Sequence, residues 1–299
     1  MNIVPFAAEL RPTVEESIRL YGHAPEHNVL WFEYIIEKEQ RPFFISWNDG
    51  TGLLAHREKT KWYVMSEPIS PLERAADLIC EFVLEALADQ EIEKVVFELE
   101  TKTRRALLHC LPQTLKARSI NYTLTVPVTN MKSFDSSLSG KRWKSIRNAR
   151  NTFYRENDVC KTDAGAVSKD ALHKIVRSWE ERRSGRDHSF GARYHALVDN
   201  NFKGTRFSRA LVVNGIPVGF NAGWEIPNRD GYYYGAVGLH DYSLNDLGAL
   251  LYLEDLLWIK GAGYVYADMG GGERALTHFK NQFFPEYWYK THVFSIVKR

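Results

Sequence analysis

Cysteine is scarce in this chain, with three among 299 residues. Cys80, Cys110 and Cys160 lie far apart along the sequence, and none belongs to a Cys-x-x-Cys pair. This spacing argues against a disulfide framework and a cysteine-rich zinc site, and it favours reduced thiols in a cytoplasmic protein. A His-Glu-x-x-His motif and a Ser/His/Asp order are also missing, so we predict no metal site.

An excess of charge of one sign is absent as well. Lys and Arg number 39 against 37 Asp and Glu, which gives a formal net charge of +2. A domain that binds nucleic acid usually carries a clear basic patch or stripe. Any basic surface that binds nucleic acid must therefore be confined to a short part of this chain.

Long hydrophobic runs are missing too. The longest apolar stretch, LGALLYLEDLLWI, is interrupted by Glu254 and Asp255, whereas a membrane span needs about 20 predominantly apolar residues. The first residues also lack the basic segment and long apolar core of a signal peptide. We therefore expect a cytoplasmic protein with no integral membrane segment, and peripheral contact with a membrane stays open.

The order of predicted elements indicates the fold. Residues 13–39 read as helical and residues 42–69 as short strands separated by turns. The second half has two helices, three consecutive strands, a long helix over 246–261, a strand, a helix and a final strand. This is the order of an acetyltransferase-like (GNAT-like) α+β module, and the first half reads as a shorter version. We predict tandem modules over 1–130 and 131–299, each a mixed sheet flanked by helices.

A local basic footprint lies on a helix predicted over 139–157. Its apolar residues recur at helical spacing and form a stripe that faces the core: Trp143, Ile146, Ala149 and Phe153. Five basic residues without an acid occupy the remaining surface: Lys141, Arg142, Lys144, Arg147 and Arg150. A basic helix face attracts phosphates of nucleic acids or lipids, and the alternative is a solvated face that binds nothing.

The loop before the long helix bears on the use of coenzyme A. In coenzyme-A-dependent members of this fold, backbone N–H groups of that loop and the helix dipole hold the pyrophosphate. Their pattern is Arg or Gln, two residues, Gly, one residue, and Gly or Ala, whereas this chain has SLNDLG over 243–248. Only Gly248 fits, and Asp246 would repel the phosphates while capping the helix. We therefore predict no cofactor, with coenzyme A disfavoured.

The stretch YADMGGGERALTHFKNQFFPEYW, residues 266–288, carries the strongest candidate site. Asp268 ends an apolar strand, three glycines follow, and Lys280 lies in the next helix. The glycines suit a phosphate-cradling loop, a packed turn, or one half of a catalytic site. Lys280 lies at the edge of an apolar stripe, where it would stabilise an oxyanion or remain a surface lysine that pairs with Asp268.

Weaker candidates for substrate contact lie on the central strands and in one loop. Asn221 and Glu225 alternate with aromatic residues, so we expect them to share one face of their strand. Tyr233 is the middle of three consecutive tyrosines and is a candidate general acid or a core residue. Arg183 and Arg186 belong to a polar loop that would bind a carboxylate or phosphate, or stay solvated.

Several of these motifs resemble known aminoacyltransferases. YADMGG followed by HFKNQFFP resembles the C-terminal signature of the Fem-type peptidoglycan aminoacyltransferases. LSGKRWKSIRNARNTFYREN, NVLWFEYI and KWYVMSEPISP resemble the C-terminal domain of lysyl-phosphatidylglycerol synthase, a DUF2156-like domain. The resemblance covers most of the chain and implies a tandem GNAT-like fold.

The resemblance also implies an activity, namely transfer of an aminoacyl group from aminoacyl-tRNA to an amine or hydroxyl acceptor. Lys280 then matches the lysine near the reacting ester, Phe279 its companion, and Asp268 the acidic strand end. The basic helix with Lys141, Lys144 and Arg147 is a candidate tRNA contact.

This chain departs from both families. It lacks the coiled-coil insertion of the Fem proteins and the transmembrane half of the lipid synthases, so a small-molecule or peptide acceptor becomes more plausible than a lipid headgroup. Two other functions stay open, an acyl-CoA-dependent N-acyltransferase and a non-catalytic binding module of the same fold.

Overall fold

A single mixed sheet forms the centre of the protein in the computed structural model, which describes residues 1–183 and 190–299. Within those ranges the strands are β1 (Asn2–Pro5), β2 (Arg41–Ser46), β3 (Gly52–Glu58), β4 (Lys61–Val64), β5 (Lys94–Glu100), β6 (Leu115–Ala117), β7 (Tyr122–Asn130), β8 (Val159–Asp163), β9 (Phe207–Val213), β10 (Ile216–Glu225), β11 (Tyr232–His240), β12 (Tyr266–Asp268) and β13 (Tyr287–Lys298). The α-helices there are α1 (Arg11–Tyr21), α2 (Val29–Tyr34), α3 (Ala75–Ala88), α4 (Thr101–Cys110), α5 (Lys144–Glu156), α6 (Lys169–Arg183), α7 (Ala192–Asp199), α8 (Leu247–Gly261) and α9 (Arg274–Asn281). This mixed sheet flanked by helices confirms the predicted α+β class.

The strand order is nearly symmetric about its central pair, β13 and β7. The order is β1-β2-β3-β4-β5-β13-β7-β12-β11-β10-β9-β8, with β6 beside β13. On each side of the central pair, β13 and β7, one parallel pair (β4 with β5, and β11 with β12) is followed outward by antiparallel strands. The last strand of the chain thus pairs with the first half, and β7 pairs with the second. Strands from both sides of residue 130 pair with each other in this one sheet. The division of the chain into modules over 1–130 and 131–299 therefore stays a prediction.

Helices cover both faces of the sheet because side chains alternate along each strand. In β2, Ile45 packs in the core beneath α3 and α4, whereas Phe44 packs beneath α1 and α2 on the opposite face. In β9, Ala210 packs beneath α6 and α7, whereas Leu211 packs on the face covered by α5 and α8. The resulting core is split into layers on either side of one continuous sheet.

The helix expected over 13–39 is interrupted. The helix α1 ends before Gly22, which adopts an extended conformation. A Cβ at Gly22 would lie 2.5 Å from the carbonyl oxygen of Ile18, so the close approach there favours glycine. The side chain of Asn28 then accepts a hydrogen bond from the Trp31 backbone and caps α2. The turn between the two helices reaches the cleft described below.

Two predicted helix starts are corrected. The basic helix begins at Lys144 rather than at 139, because Asp135 accepts hydrogen bonds from the backbone N–H groups of Ser137 and Ser139 and holds the preceding chain in a turn. The predicted cap of α8 is wrong as well. Asp246 occupies the capping position in a left-handed conformation, with φ of 62°, but its side chain makes no capping hydrogen bond.

Candidate active site

A cleft of about 1240 Å³ crosses the centre of the molecule and is lined by both halves. It opens because β11 pairs with β12 only over residues 232–234, which leaves residues 235–240 without a strand partner on that side. The cleft wall therefore includes Tyr194 of α7 on one face of the sheet and Tyr252 of α8 on the other.

The glycine loop after β12 forms part of the cleft wall, and two of its amides are already used. The N–H of Gly270 donates to the Asp268 carboxylate at 3.0 Å. Gly272 exchanges two backbone hydrogen bonds with Thr125 of β7, at 3.0 and 3.1 Å. A Cβ at Gly271 would lie 2.9 Å from the Leu124 side chain. The loop is thus a close-packed turn against β7, in which Gly270 and Gly272 donate within the protein rather than to a phosphate.

Lys280 is buried and faces this loop. Its side chain is 6% exposed, and its ammonium donates to the carbonyl oxygens of Met269 and Gly270 at 2.6 and 2.8 Å. The alternative of a surface lysine is therefore wrong. Burial lowers the pKa of Lys280 to about 8, and the negative charge of Asp268 partly opposes that shift. A buried ammonium group in the wall of a cleft is a strong electrostatic feature.

Asp268 lies behind the cleft wall. It is 1% exposed, and its second oxygen accepts a hydrogen bond from the Tyr289 hydroxyl at 2.7 Å. Burial raises the pKa of Asp268 to about 6, and the bonds from Tyr289 and Gly270 partly oppose the shift. Gly270 connects the two candidates, because its N–H binds Asp268 and its carbonyl binds Lys280. Asp268 thus holds the loop that holds Lys280, and Tyr289 presents its ring to the cleft.

Several carboxylates line the cleft from the first half, among them those of Glu26 and Glu98. Glu26 lies in the turn between α1 and α2, and Glu98 lies on β5. Burial and their mutual repulsion raise the pKa of Glu26, and burial raises the pKa of Glu98, with Thr291 and Arg193 opposing the latter shift. The indole of Trp224 fixes the Glu26 turn from the second half, since it donates to the Pro25 carbonyl at 2.8 Å.

The hydroxyl of Tyr234 interacts electrostatically with these carboxylates. Burial and the charges of Glu26, Asp268 and Glu98 raise the pKa of its hydroxyl. Neither Glu26 nor Glu98 was a sequence candidate. Glu98 alternates with apolar residues along β5, and that alternation could have indicated a polar face. Glu26 is in a short loop, where no periodicity points to it.

The pair Asn221 and Glu225 shares one face of β10, the face toward α8. The residues that alternate with them, Phe220, Ala222 and Trp224, pack with α6 and α7 on the opposite face. Asn221 lines the cleft and lies 3.4 Å from Asp255, whereas Glu225 ends the strand, is exposed and accepts a hydrogen bond from the hydroxyl of Tyr264. The position along the strand therefore brings Asn221 to the cleft and leaves Glu225 outside it.

The other weaker candidates divide in the same way. Tyr233 is 1% exposed and packs against Trp258 and Tyr264 on the α8 face, so its neighbour Tyr234 faces the cleft instead. Phe279 lines the cleft with its ring 5.6 Å from that of Tyr252. Arg183 also lines the cleft. Arg186 lies outside the described residues.

The basic helix presents two of its three predicted tRNA contacts to solvent. Lys141 and Lys144 are exposed near the start of α5. Arg147 is turned inward instead, where its guanidinium donates to the carbonyl oxygens of Leu138 and Gly140. Arg147 therefore clamps the turn before α5, and its hydrogen-bonding capacity is partly used there.

The N-terminal end of α8 is covered by an imidazole. A Cβ at Gly248 would lie 2.8 Å from the ring of His240, so glycine is needed for this close contact. Burial lowers the pKa of His240 to about 4, which leaves the ring neutral near pH 7. The space beside the one glycine that fits the pyrophosphate pattern is thus occupied by the protein itself.

Within residues 1–183 and 190–299, no helix is both long enough and apolar enough to cross a bilayer. In the same ranges, no group of three or more His, Cys, Asp or Glu side chains is arranged to hold a metal ion.

Comparison with protein families gives one match that spans most of the chain. Residues 23–282 match the family described as phosphatidylglycerol lysyltransferase, C-terminal. That range contains the cleft carboxylates, the glycine loop and Lys280. No curated protein matches the chain.

Comparison with solved structures shows the fold. L-PGS from Bacillus licheniformis is similar at 14% identity and a TM-score of 0.69, covering 95% of this chain and 90% of that one. FemX is similar at 10% identity and a TM-score of 0.57, covering 98% and 97%. A tandem GNAT protein from the clavulanic acid biosynthesis pathway is similar at 12% identity and 0.55, covering 99% and 98%. These similarities confirm the predicted tandem GNAT-like fold.

Proposed function

The chain belongs to the phosphatidylglycerol lysyltransferase C-terminal family, and we propose that it transfers an aminoacyl group from aminoacyl-tRNA to an amine or hydroxyl acceptor. The observation that carries this proposal is the buried ammonium of Lys280 in the wall of the central cleft. An acyl transfer develops negative charge on the carbonyl oxygen of the ester, and a desolvated cation stabilises that charge.

In the proposed reaction the nitrogen or oxygen of the acceptor attacks the carbonyl carbon of the aminoacyl ester. A new C–N or C–O bond forms, the ester bond to the terminal ribose breaks, and the proton of the acceptor passes to the leaving ribose oxygen. Two N–H groups of Lys280 are committed to Met269 and Gly270. Its third N–H is the one that would meet the oxyanion, because an ammonium has three donors.

The carboxylates of the cleft are suited to bind the α-amine of the aminoacyl group. Every aminoacyl ester carries an α-amine, which is protonated over much of the neutral range. Glu26 and Glu98 line the cleft and would hold that ammonium by charge-assisted hydrogen bonds. Such a cation would also relieve the repulsion that raises the pKa of Glu26.

Asp268 acts as a positioning residue in this scheme. Its hydrogen-bonded link to Lys280 runs through Gly270, and it accepts a hydrogen bond from the Tyr289 hydroxyl. Its carboxylate would keep the carbonyl groups of the loop aimed at the ammonium. A misplacement of about 1 Å at a reacting group is enough to cost about a hundredfold in rate.

Two features favour tRNA over coenzyme A as the donor. The exposed Lys141 and Lys144 offer a basic patch that suits a phosphate backbone. At α8, Asp246 stands where the pyrophosphate loop has a glycine, and the His240 ring lies against Gly248. The proposed enzyme therefore needs no cofactor. Its acceptor would be a small molecule or a peptide, and its location cytoplasmic.

A pool of tRNAs charged with labelled amino acids tests the proposal. The protein is incubated with the pool and with candidate amine and hydroxyl acceptors, and the label is followed from tRNA to acceptor. We expect loss of label from one class of tRNA only when an acceptor is present, and no loss with the Lys280→Met variant. If no charged tRNA loses its label with any acceptor, or if coenzyme A binds tightly in calorimetry, the proposal is wrong.

A further inference from the structure

Two cysteine side chains meet between α3 and α4. Cys80 lies within α3 and Cys110 is the last residue of α4, and their Sγ atoms are 2.8 Å apart. Their separation of 30 positions hides this pairing in the sequence. The packing of α4 on α3 brings the two thiols into direct contact.

The two thiols have different surroundings. Cys80 is buried and Cys110 is exposed. Burial, together with the neighbouring Cys110, raises the pKa of Cys80, so the buried thiol stays protonated near pH 7. Cys110 is thus the thiol that a dissolved oxidant reaches first, and Cys80 is the thiol placed to react with the product.

The geometry is close to that of a disulfide. A disulfide bond is about 2.05 Å long, and the sulfurs are already at 2.8 Å. Cys110 ends its helix and is followed by Leu111 and Pro112. Because a carbonyl in the last turn of a helix has no partner within that helix, a small shift of Cys110 breaks few bonds.

We propose that Cys80 and Cys110 are a reversible dithiol pair that closes to an intrachain disulfide on exposure to a peroxide. The Cys110 thiolate attacks one oxygen of the peroxide, the O–O bond breaks, and a sulfenic acid and hydroxide form. The Cys80 sulfur then attacks the sulfenic sulfur, the S–O bond breaks, and a second hydroxide leaves. The two thiol protons convert the hydroxides to water, so two thiols are oxidised while one hydrogen peroxide is reduced to two waters.

The disulfide would join helices that support the first half of the sheet. The helix α4 follows β5 directly and packs against β13, where Arg104 lies 4.9 Å from the Phe294 ring. Neither cysteine lines the cleft. The expected consequence is a stiffer first half, and it does not depend on the proposed transferase activity.

The test is a thiol count on the full chain. The protein is treated with hydrogen peroxide, denatured without reductant, labelled with a maleimide and weighed by intact mass spectrometry. We expect labelled thiols to fall from three to one and the unlabelled mass to fall by about 2 Da. Peptide mapping should join the α3 and α4 peptides, and dithiothreitol should restore all three thiols. The oxidised form should also melt about 4 °C or more above the reduced form.

Two variants serve as controls. Cys160→Ser removes the thiol on β8 and should leave closure of the pair intact. Cys110→Ser replaces an exposed side chain, so it should fold, and it should retain both remaining thiols after peroxide. The proposal is overturned if the wild type keeps three thiols, if the only new bonds involve Cys160, or if Cys110 becomes sulfinic acid while Cys80 stays free.

Discussion

The two halves of this protein arrange their strands in the same order but use their parallel pairs differently. In the first half, all four residues of β4 pair with β5. In the second half, β11 pairs with β12 over three residues and then continues for six more, 235–240, without a partner on that side. In the first half, β5 runs past its last partner in β4 over only three residues, 98–100. The opening between the parallel strands is therefore longer in the second half.

The helix that connects the two strands of each parallel pair also differs between the halves. The buried positions of α3 are apolar, with Ile79, Phe82 and Val83 in the core. In α8, two acids are buried, Glu254 at 5% exposure and Asp255 at 3%. Buried charges are costly unless they are paired, and in α8 both acids are paired. The second half thus accepts that cost at two neighbouring positions of α8, of which Asp255 lines the cleft.

The partners of the two α8 acids come from several elements. Glu254 accepts hydrogen bonds from Tyr154 and Lys161 at 2.9 and 2.7 Å. Asp255 accepts one from Arg209 at 2.7 Å, and Asn221 extends that network to the cleft. Burial raises the pKa of Asp255 to about 6, and Arg209 opposes the shift. These hydrogen bonds hold the polar side chains of Asp255 and Asn221 in the wall of the cleft.

The largest effect should come from removing the buried ammonium. We expect Lys280→Met to lower turnover by about a hundredfold or more, because the side chain keeps its apolar stem and loses the charge that meets the oxyanion. Steady-state kinetics of the purified variant would measure this. The matched control is Lys260→Met, since Lys260 also donates to two carbonyl oxygens, those of Met131 and Phe134, and does not line the cleft. Equal losses in both variants would remove Lys280 from the mechanism.

The second largest effect on kcat should come from a buried carboxylate, and the test compares one from each half, Asp268 and Glu67. Glu67 accepts hydrogen bonds from the Glu100 backbone and the Thr103 hydroxyl, much as Asp268 accepts them from Gly270 and Tyr289. We expect Asp268→Asn to lower kcat by about tenfold to a hundredfold through displacement of the glycine loop. Glu67→Gln should lower the melting temperature and change kcat much less, because Glu67 lines the cleft but binds Glu100 and Thr103 rather than the loop that holds Lys280.

A rescue experiment separates positioning from stability in that comparison. Because Asp268→Glu keeps the charge, it should recover part of the lost kcat. If Asp268→Asn and Glu67→Gln change kcat to the same degree, the two halves do not differ in the way proposed.

A smaller effect concerns pH. Burial lowers the pKa of Lys280 to about 8. Its side chain is therefore almost fully protonated below pH 7 and loses its positive charge as the pH rises through 8. We expect kcat to fall above about pH 8, by about tenfold at pH 9 if the neutral amine is inactive. A profile of kcat between pH 6 and 10 measures this. Arginine stays charged over this range, so any activity that remains in Lys280→Arg should lack the fall near pH 8.

The smallest effect should come from the basic helix. Replacing Lys141 and Lys144 together by Ala should raise KM for charged tRNA severalfold and weaken its dependence on salt, because each lysine that contacts a phosphate releases a counterion. The control in the first half is Lys102→Ala, an exposed lysine on α4. An unchanged KM and salt slope in the double variant would place the tRNA elsewhere.

Some features of the site were predictable from local sequence. The glycines after Asp268, the helix that carries Lys280 and the buried stripe of α5 follow from residues that are neighbours along the chain. The burial of Lys280 was not predictable, since its helical position only placed it at the edge of the apolar stripe. Glu225 shares a face with Asn221, as alternation along the strand indicates, but that alternation does not show that Glu225 lies at the exposed end of β10, outside the cleft.

The sequence by itself determined the element order, the class of fold and the resemblance to aminoacyltransferases, because side-chain periodicity and turn residues act over a few positions. Only the tertiary structure decided which polar groups meet. Tyr289 reaches Asp268 across 21 positions, and Glu26 and Glu98 reach the same cleft from the other half. Those contacts depend on β13 inserting between β5 and β7. Such long-range strand pairing is set by the packing of the whole sheet, which no local pattern specifies.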